Sequence, residues 1–183
     1  MADPVRRSAA LTATLIAVPV ALVVAVGSLL LYGGFSGTPS PSPTPAATTP
    51  VTMDAPALAE DAVPVCRTVI AHLPDTVAGQ ARRPVTAGAE QNAAYGDPPV
   101  TLACGTTQPT VDPTADVLTL SGVCWLAAPV NGGTAWTTVD RTIPVTVTVP
   151  DPSEGSAQSV VPFSPAVAAG DTRRDSAPSG CLT

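Results

Sequence analysis

An uncharged run from Leu11 to Tyr32, LTATLIAVPVALVVAVGSLLLY, constrains this chain more than any other feature. At ~1.5 Å per residue a helix of that length spans roughly 33 Å, enough to cross the hydrocarbon core of a bilayer. Arg6 and Arg7 precede the run, and no Arg or Lys follows it until Arg67. The positive-inside bias therefore predicts a short cytoplasmic N-terminus (1–10), a transmembrane anchor (11–32), and a single-pass protein with everything beyond on the outer side. Pro19 and Gly27 interrupt the run, and both are tolerated in transmembrane helices. The rival reading is a cleaved signal peptide, whose apolar stretch is usually ~7–15 residues and ends at a small-x-small site. Here the run is longer, and Gly33-Gly34-Phe35-Ser36-Gly37 offers only poor sites. No Cys follows the run, which excludes a bacterial lipobox. Export is the expectation under either reading.

Residues 33–53 read as a linker. From Thr38 to Pro50 (TPSPSPTPAATTP) proline alternates with small residues, a pattern that buries no core and favours extended polyproline II. At ~3.1 Å per residue this stretch reaches roughly 40 Å, a stalk between anchor and domain. The domain proper is expected over 54–183. Its six arginines (Arg67, Arg82, Arg83, Arg141, Arg173, Arg174) face all but one of the 14 carboxylates, and the chain carries a net charge of −6. An acidic outer domain argues against nucleic acid or anionic lipid as an electrostatic partner.

Along the domain, Asp54 and Pro56 suggest a first helical turn. Pro64 opens a better helix, with Val65, Cys66, Val69, Ile70 and Leu73 on one face and an end at Leu73-Pro74. His72, the one histidine, lies at the flank of that face, where a boundary residue is the ordinary reading. Gly79 to Pro84 (GQARRP) reads as a loop and Tyr95 to Pro99 (YGDPP) as a turn. Val100 to Cys104 reads as a short strand and Val117 to Ala128 as a long one. Asn131-Gly132-Gly133 reads as a hairpin turn, and Thr134 to Val139 as the returning strand. Ile143, Val145, Val147 and Val149 alternate with Pro144, Thr146, Thr148 and Pro150, a half-buried strand whose prolines suggest an edge. Val160 to Phe163 reads as a further short edge strand, and the tail from Gly170 as turn-rich. The expected class is α+β: after the transmembrane helix, one or two helices packed on a four- to five-stranded, mainly antiparallel sheet.

Four cysteines in a small exported domain read as two disulfides, with three possible pairings. We favour Cys66–Cys104, which would pin the helix to the sheet through two apolar faces, and Cys124–Cys181, which would fasten the tail to the long strand. No Cys-x-x-Cys pair is present, so metal binding and redox catalysis are disfavoured and no cofactor is expected. Asp112 and Asp116 lack the ladder of a calcium loop.

An ordered set of motifs carries a resemblance. It runs Cys66, Leu73-Pro74, Gly79, Arg82-Arg83-Pro84, then Tyr95-Gly96-Asp97-Pro98-Pro99, Leu102 and Cys104-Gly105. It continues through Gly122-Val123-Cys124-Trp125-Leu126 and Trp136-Thr137-Thr138-Val139-Asp140-Arg141. Over about Val63 to Pro150 the chain resembles the actinobacterial domain-of-unknown-function family 3515. Tyr95 stands where that family often has Trp. The resemblance implies a short cytoplasmic N-terminus, one anchor or signal and an exported domain. It implies no activity and no catalytic residues.

The residues themselves lead to a non-enzymatic envelope protein that binds another envelope protein or polymer. No Gly-x-Ser-x-Gly, Ser-x-x-Lys or His-Glu-x-x-His motif occurs. The loops around Arg82, Arg83, Tyr95 and Asp97 are the candidate binding surface, because adjacent guanidinium forks match phosphate or carboxylate groups. The plain alternative is a solvated pair or one salt bridge. Two other functions compete. One is a hydrolase or transferase of envelope polymers using a carboxylate pair such as Asp97 with Asp140. The other is a carbohydrate-binding module using Trp125 or Trp136, although two tryptophans in a small domain more often build its core.

Overall fold

The computed structural model describes residues 48–150 and 156–181, together with Ser28. The expected anchor and residues 33–47 of the linker lie outside the residues from which a fold can be drawn. Among the described residues no helix is long and apolar enough to cross a membrane. The described fold belongs to one compact unit, Pro45–Thr183.

That unit is α+β, with one eight-stranded antiparallel sheet rather than the four or five strands expected. The elements are α1 (Ala62–His72), β1 (Thr76–Val77), β2 (Gln80–Arg83), β3 (Asn92–Tyr95), β4 (Val100–Cys104), β5 (Val117–Leu120), β6 (Val123–Val130), β7 (Gly133–Thr138), β8 (Val145–Pro150), α2 (Ser156–Val160) and α3 (Ser164–Gly170). A 3-10 turn, Val161–Phe163, joins α2 to α3, and another spans Ser179–Cys181. The strand order β1-β2-β3-β4-β8-β7-β6-β5 is two meanders zipped together where β8 pairs β4.

Tight turns account for the added strands. Ala78 and Gly79 both take positive φ (49° and 76°), as do Ser121 and Gly122 (47° and 80°). Two successive left-handed residues make the type I′ turn that matches the twist of a hairpin. Gln80–Arg83 is thus a strand, not a loop, and Val117 to Ala128 is two strands folded at Ser121-Gly122. The Asn131-Gly132 hairpin forms where expected, pairing Val130 with Gly133. β8 is central rather than an edge: its prolines flank or close it, Pro144 before and Pro150 at the end, so neither removes a donor from its middle. Its predicted alternation holds, with Val145, Val147 and Val149 buried and Thr146, Thr148 and Pro150 half-buried.

One sheet face carries the main core. α1 brings Cys66, Val69 and Ile70 onto it, and Leu102, Trp125, Trp136, Val145 and Val147 meet them from the sheet. Val160 to Phe163 is helical, not a strand, and Phe163 packs edge-on against Tyr95 with ring centroids 5.6 Å apart. α3 lies against α1. At Gly170 the two approach so closely that a Cβ would stand 2.7 Å from the backbone nitrogen of Val69. Both disulfides pair as expected, Cys66–Cys104 from α1 to β4 and Cys124–Cys181 from β6 to the tail. The second anchors a small cluster of Cys124, Val139 and Cys181, ringed by Val111, Val117, Leu126 and Ala177. Cys124 lies next to Trp125 on β6, so it faces away from the main core.

Asp54 starts no helix. Residues 48–59 form an extended strap instead, bridged in parallel between Val51 and Val85. The Val51 N–H donates to the Pro84 carbonyl and the Thr86 N–H to the Val51 carbonyl, both at 2.9 Å. The last residues of the expected linker are therefore hydrogen-bonded into the domain.

Candidate binding cleft

Arg82 and Arg83 do not act as a pair. They are successive residues of β2, and successive strand side chains point to opposite faces. Arg82 reaches back to the end of α1, donating from NH1 to the Ile70 carbonyl at 3.4 Å. Arg83 turns to the strap, donating to the Thr49 carbonyl from Nε (3.2 Å) and NH2 (2.7 Å) and to the Gly96 carbonyl from NH1 (2.8 Å). Among the described residues its carboxylate partner is Asp97 at 3.7 Å, on the exposed turn. The expected solvated loop is a strand whose guanidiniums tie backbone segments together. Tyr95 is no surface residue either: it is 1% exposed, and its hydroxyl donates to the Pro74 carbonyl at 2.7 Å. Burial raises the phenol above its ordinary pKa; Arg82 pulls it down and Asp75 pushes it up.

The carboxylates Asp97 and Asp140 are not brought together. Tyr95 pairs with Val100, which places Asp97 at the start of β4, whereas Cys104 pairs with Val145, which places Asp140 beyond the far end. The length of β4 alone separates those ends by roughly 14 Å, beyond the ~5–9.5 Å of glycosidase pairs. Asp140 is fully buried and structurally engaged. Its Oδ1 accepts the Cys124 N–H at 3.0 Å, and Arg141 and Arg173 each bring Nε to 3.4 Å of the carboxylate. Arg141 also donates to the Gly122 carbonyl at 2.6 Å. Asp171 accepts the Ile143 N–H at 3.1 Å, and its carboxyl titrates above the ordinary range because burial outweighs that bond and Arg141. This network holds the tail onto the turn after β7. Trp125 and Trp136 both lie in the core, with Trp125 Nε1 donating to Ser164, so neither presents an exposed platform. His72 is exposed at the end of α1, its Nδ1 2.8 Å from the Thr68 carbonyl. Asp112 is held below its ordinary pKa by the Thr114 hydroxyl and N–H, which bind its Oδ1 in a local turn.

What the topology does assemble lies on the sheet face opposite the helices. Leu102 and Cys104 face the core, so Thr101 and Ala103 face away. The register sets Thr101 beside Thr148, Ala103 beside Thr146 and Asn92 beside Ala103. The strap crosses this face. Asn92 donates from Nδ2 to the carbonyls of Asp54 (2.9 Å) and Ala87 (3.1 Å), and Gln91 donates to the Pro56 carbonyl at 3.1 Å. Between strap and sheet lies a cleft of about 380 Å³ whose polar lining includes Thr52, Asp54, Gln91, Asn92, Thr101, Thr106 and Thr148. That volume falls within the ~300–1,000 Å³ of small-molecule sites. Asn92 is 1% exposed, and its Oδ1 is buried with no partner. Native structures seldom leave such an acceptor empty.

A larger cleft, about 500 Å³, opens between the 108–115 loop and the tail, over Val111, Val117 and Val139. Its guanidinium, Arg174, is occupied through Nε and NH2 by Ser176. The strap cleft is the stronger candidate because its polar groups are left incompletely bonded. Sequence reasoning missed it: Asn92, Thr101 and Thr148 belong to no motif, and the one signal was the alternation that put Thr148 on the solvent side of β8.

A family model described as "Protein of unknown function (DUF3515)" matches residues 16–175. The chain belongs to this family. The DUF3515 match begins inside the apolar run, takes in the strap, the cleft and three of the cysteines, and stops short of Cys181. No curated protein and no solved structure matches the chain.

Proposed function

We propose that this DUF3515 protein is a non-enzymatic binding module of an actinobacterial cell envelope, anchored by a single transmembrane segment at 11–32. Its extracytoplasmic domain takes its ligand in the cleft between strap and sheet. The observation that carries this reading is the cleft itself, with a buried Asn92 acceptor left unbonded and the hydroxyls of Thr52, Thr101 and Thr148 in its lining. Compartment and topology rest on two supports: Arg6 and Arg7 lie before the apolar run, and two disulfides suit an oxidising space.

The test is capture from membranes with the full chain. Ala103 faces the cleft from β4, and Ala103→Phe would fill it. The variant should keep its melting temperature within a few degrees and lose the envelope component that co-purifies with the wild type. Undiminished capture by a folded Ala103→Phe protein rejects the cleft as the site. A reporter fused after Thr183 checks the topology: an export-dependent enzyme should be active there, and activity of a cytoplasm-dependent one rejects it.

A further inference from the structure

We infer that the ligand of the strap cleft is a neutral glycan, held by hydroxyl and amide groups rather than by charge or an aromatic platform. This rests on the binding-module reading above and names its ligand class. The lining supplies hydroxyls from Thr52, Thr101, Thr106 and Thr148 and amides from Gln91 and Asn92. Its one ionisable side chain is Asp54, an exposed carboxylate at the mouth. With no cation in the lining and a carboxylate beside it, the cleft disfavours phosphate, carboxylate and sulfate groups, on a domain already acidic. A polyol is the complementary chemistry: each hydroxyl both donates and accepts, as threonine does, and an amide acceptor takes a hydroxyl donor.

Two details sharpen the assignment. The Asn92 amide is oriented by its own bonds. Its Nδ2 is committed to the carbonyls of Asp54 and Ala87, so Oδ1 is left to accept, which calls for a donor from the ligand. The strap shields Oδ1 from bulk water, but residues 52–59 have no regular secondary structure and are held here largely by side chains, so a ligand hydroxyl enters as the strap yields. The hydroxyls also continue beyond the cleft. Thr106 Oγ1 lies 2.8 Å from Thr146 Oγ1, which lies 2.9 Å from Thr137 Oγ1. From Thr101 and Thr148 to Thr137 the face is a strip of threonines across β4, β8 and β7, at ~4.8 Å per strand. A strip suits a chain of sugars laid along the sheet better than a single monosaccharide.

The experiment uses the full chain in a detergent without a sugar headgroup. Saturation-transfer NMR is run against soluble oligomers of glucose, galactose, arabinose and N-acetylglucosamine, with an oligogalacturonate as the anionic counterpart. The expected result is millimolar or tighter binding of at least one neutral oligomer and none of the anionic one. The double variant Thr101→Val, Thr148→Val keeps shape, removes two hydroxyls, and should weaken binding about tenfold or more at an unchanged melting temperature. If the double variant does not fold, each single variant is read in its place, with weakening of at least about threefold expected from each. Absence of neutral binding up to about 10 mM, equal binding of the anionic oligomer, or equal binding by the hydroxyl variants overturns the assignment. Loss of membrane capture in Ala103→Phe without any sugar binding overturns the glycan and leaves the binding-module reading standing. If capture is also undiminished in Ala103→Phe, both fall.

Discussion

The two disulfides close loops of similar length, sequence separations of 38 and 57, yet they should not be worth the same. The chain-entropy relation gives about 4 kcal/mol for each, and the difference in loop length adds only about 0.4 kcal/mol in favour of Cys124–Cys181. Topology reverses that order. Cys66 and Cys104 sit in the main core between α1 and β4, so nothing beside them can detach without opening the core. Cys181 lies in a tail fastened at its start by the Asp171–Ile143 bond, the Arg173–Asp140 ion pair, the Arg141–Arg173 bridge, the Thr142–Thr172 contacts and the Arg174 N–H to the Asp140 carbonyl, whereas among the described residues the hydrogen bonds past Arg174 stay within the tail itself. Without its bridge the tail can fray in the native state and recover part of the lost entropy there. Replacing Cys66 and Cys104 with Ala should therefore cost about 4 kcal/mol, and replacing Cys124 and Cys181 about 2–3 kcal/mol. Urea unfolding measures both. Hydrogen exchange then locates the difference, because the Arg174 and Cys181 amides should lose protection in the second variant while β4 and β8 keep theirs. A larger cost for the Cys124–Cys181 pair, or tail amides that stay protected without it, would refute this reasoning.

Arg83→Gln should lower stability by about 1–3 kcal/mol, because the Thr49 and Gly96 carbonyls lose their donors; an unchanged melting temperature would return Arg83 to the solvated role its sequence suggests. Asp171 titrates above its unfolded value, so ionising it opposes folding: the penalty is absent below about pH 4 and grows as pH rises through the raised pKa. The stability of Asp171→Asn relative to wild type should accordingly improve between about pH 3 and 7, and a flat or opposite trend counts against burial as the dominant influence on this carboxyl.

The sequence was most legible where periodicity and chemistry agreed. The face of α1, the alternation of β8, the Asn131-Gly132 turn and both cysteine pairs could be read because each is a local pattern or a choice among three pairings. The misread elements share a cause. Ala78-Gly79 and Ser121-Gly122 turn the chain as tightly as Asn131-Gly132, but Ala and Ser seldom take positive φ, so the hairpins hid inside an apparent loop and an apparent long strand. Val160 to Phe163 is short and apolar, a length at which strand and helix cannot be told apart by period. Only its place against Tyr95 decides it.

The arginine pair shows why the site was harder to read than the fold. Adjacent guanidiniums suggest one anion site only while the backbone is a loop. Once Gln80–Arg83 is a strand, the pleat sends Arg82 toward α1 and Arg83 toward the strap, and the apparent site becomes two structural ties. The same pleat builds the cleft that sequence could not show. Asn92, Ala103, Thr101 and Thr148 come from three strands, and only the register of β3 on β4 and β4 on β8 sets them side by side. A strap whose sequence reads as linker up to 53 and as a helical turn from Asp54 then roofs them. Arg83 helps to hold that strap through Thr49, so the residue first picked out as a ligand contact positions the roof of the cleft instead. Its loss should then loosen ligand capture through the strap as well as lower stability, whereas replacing Arg82, whose guanidinium reaches the end of α1 and not the strap, should leave capture unchanged.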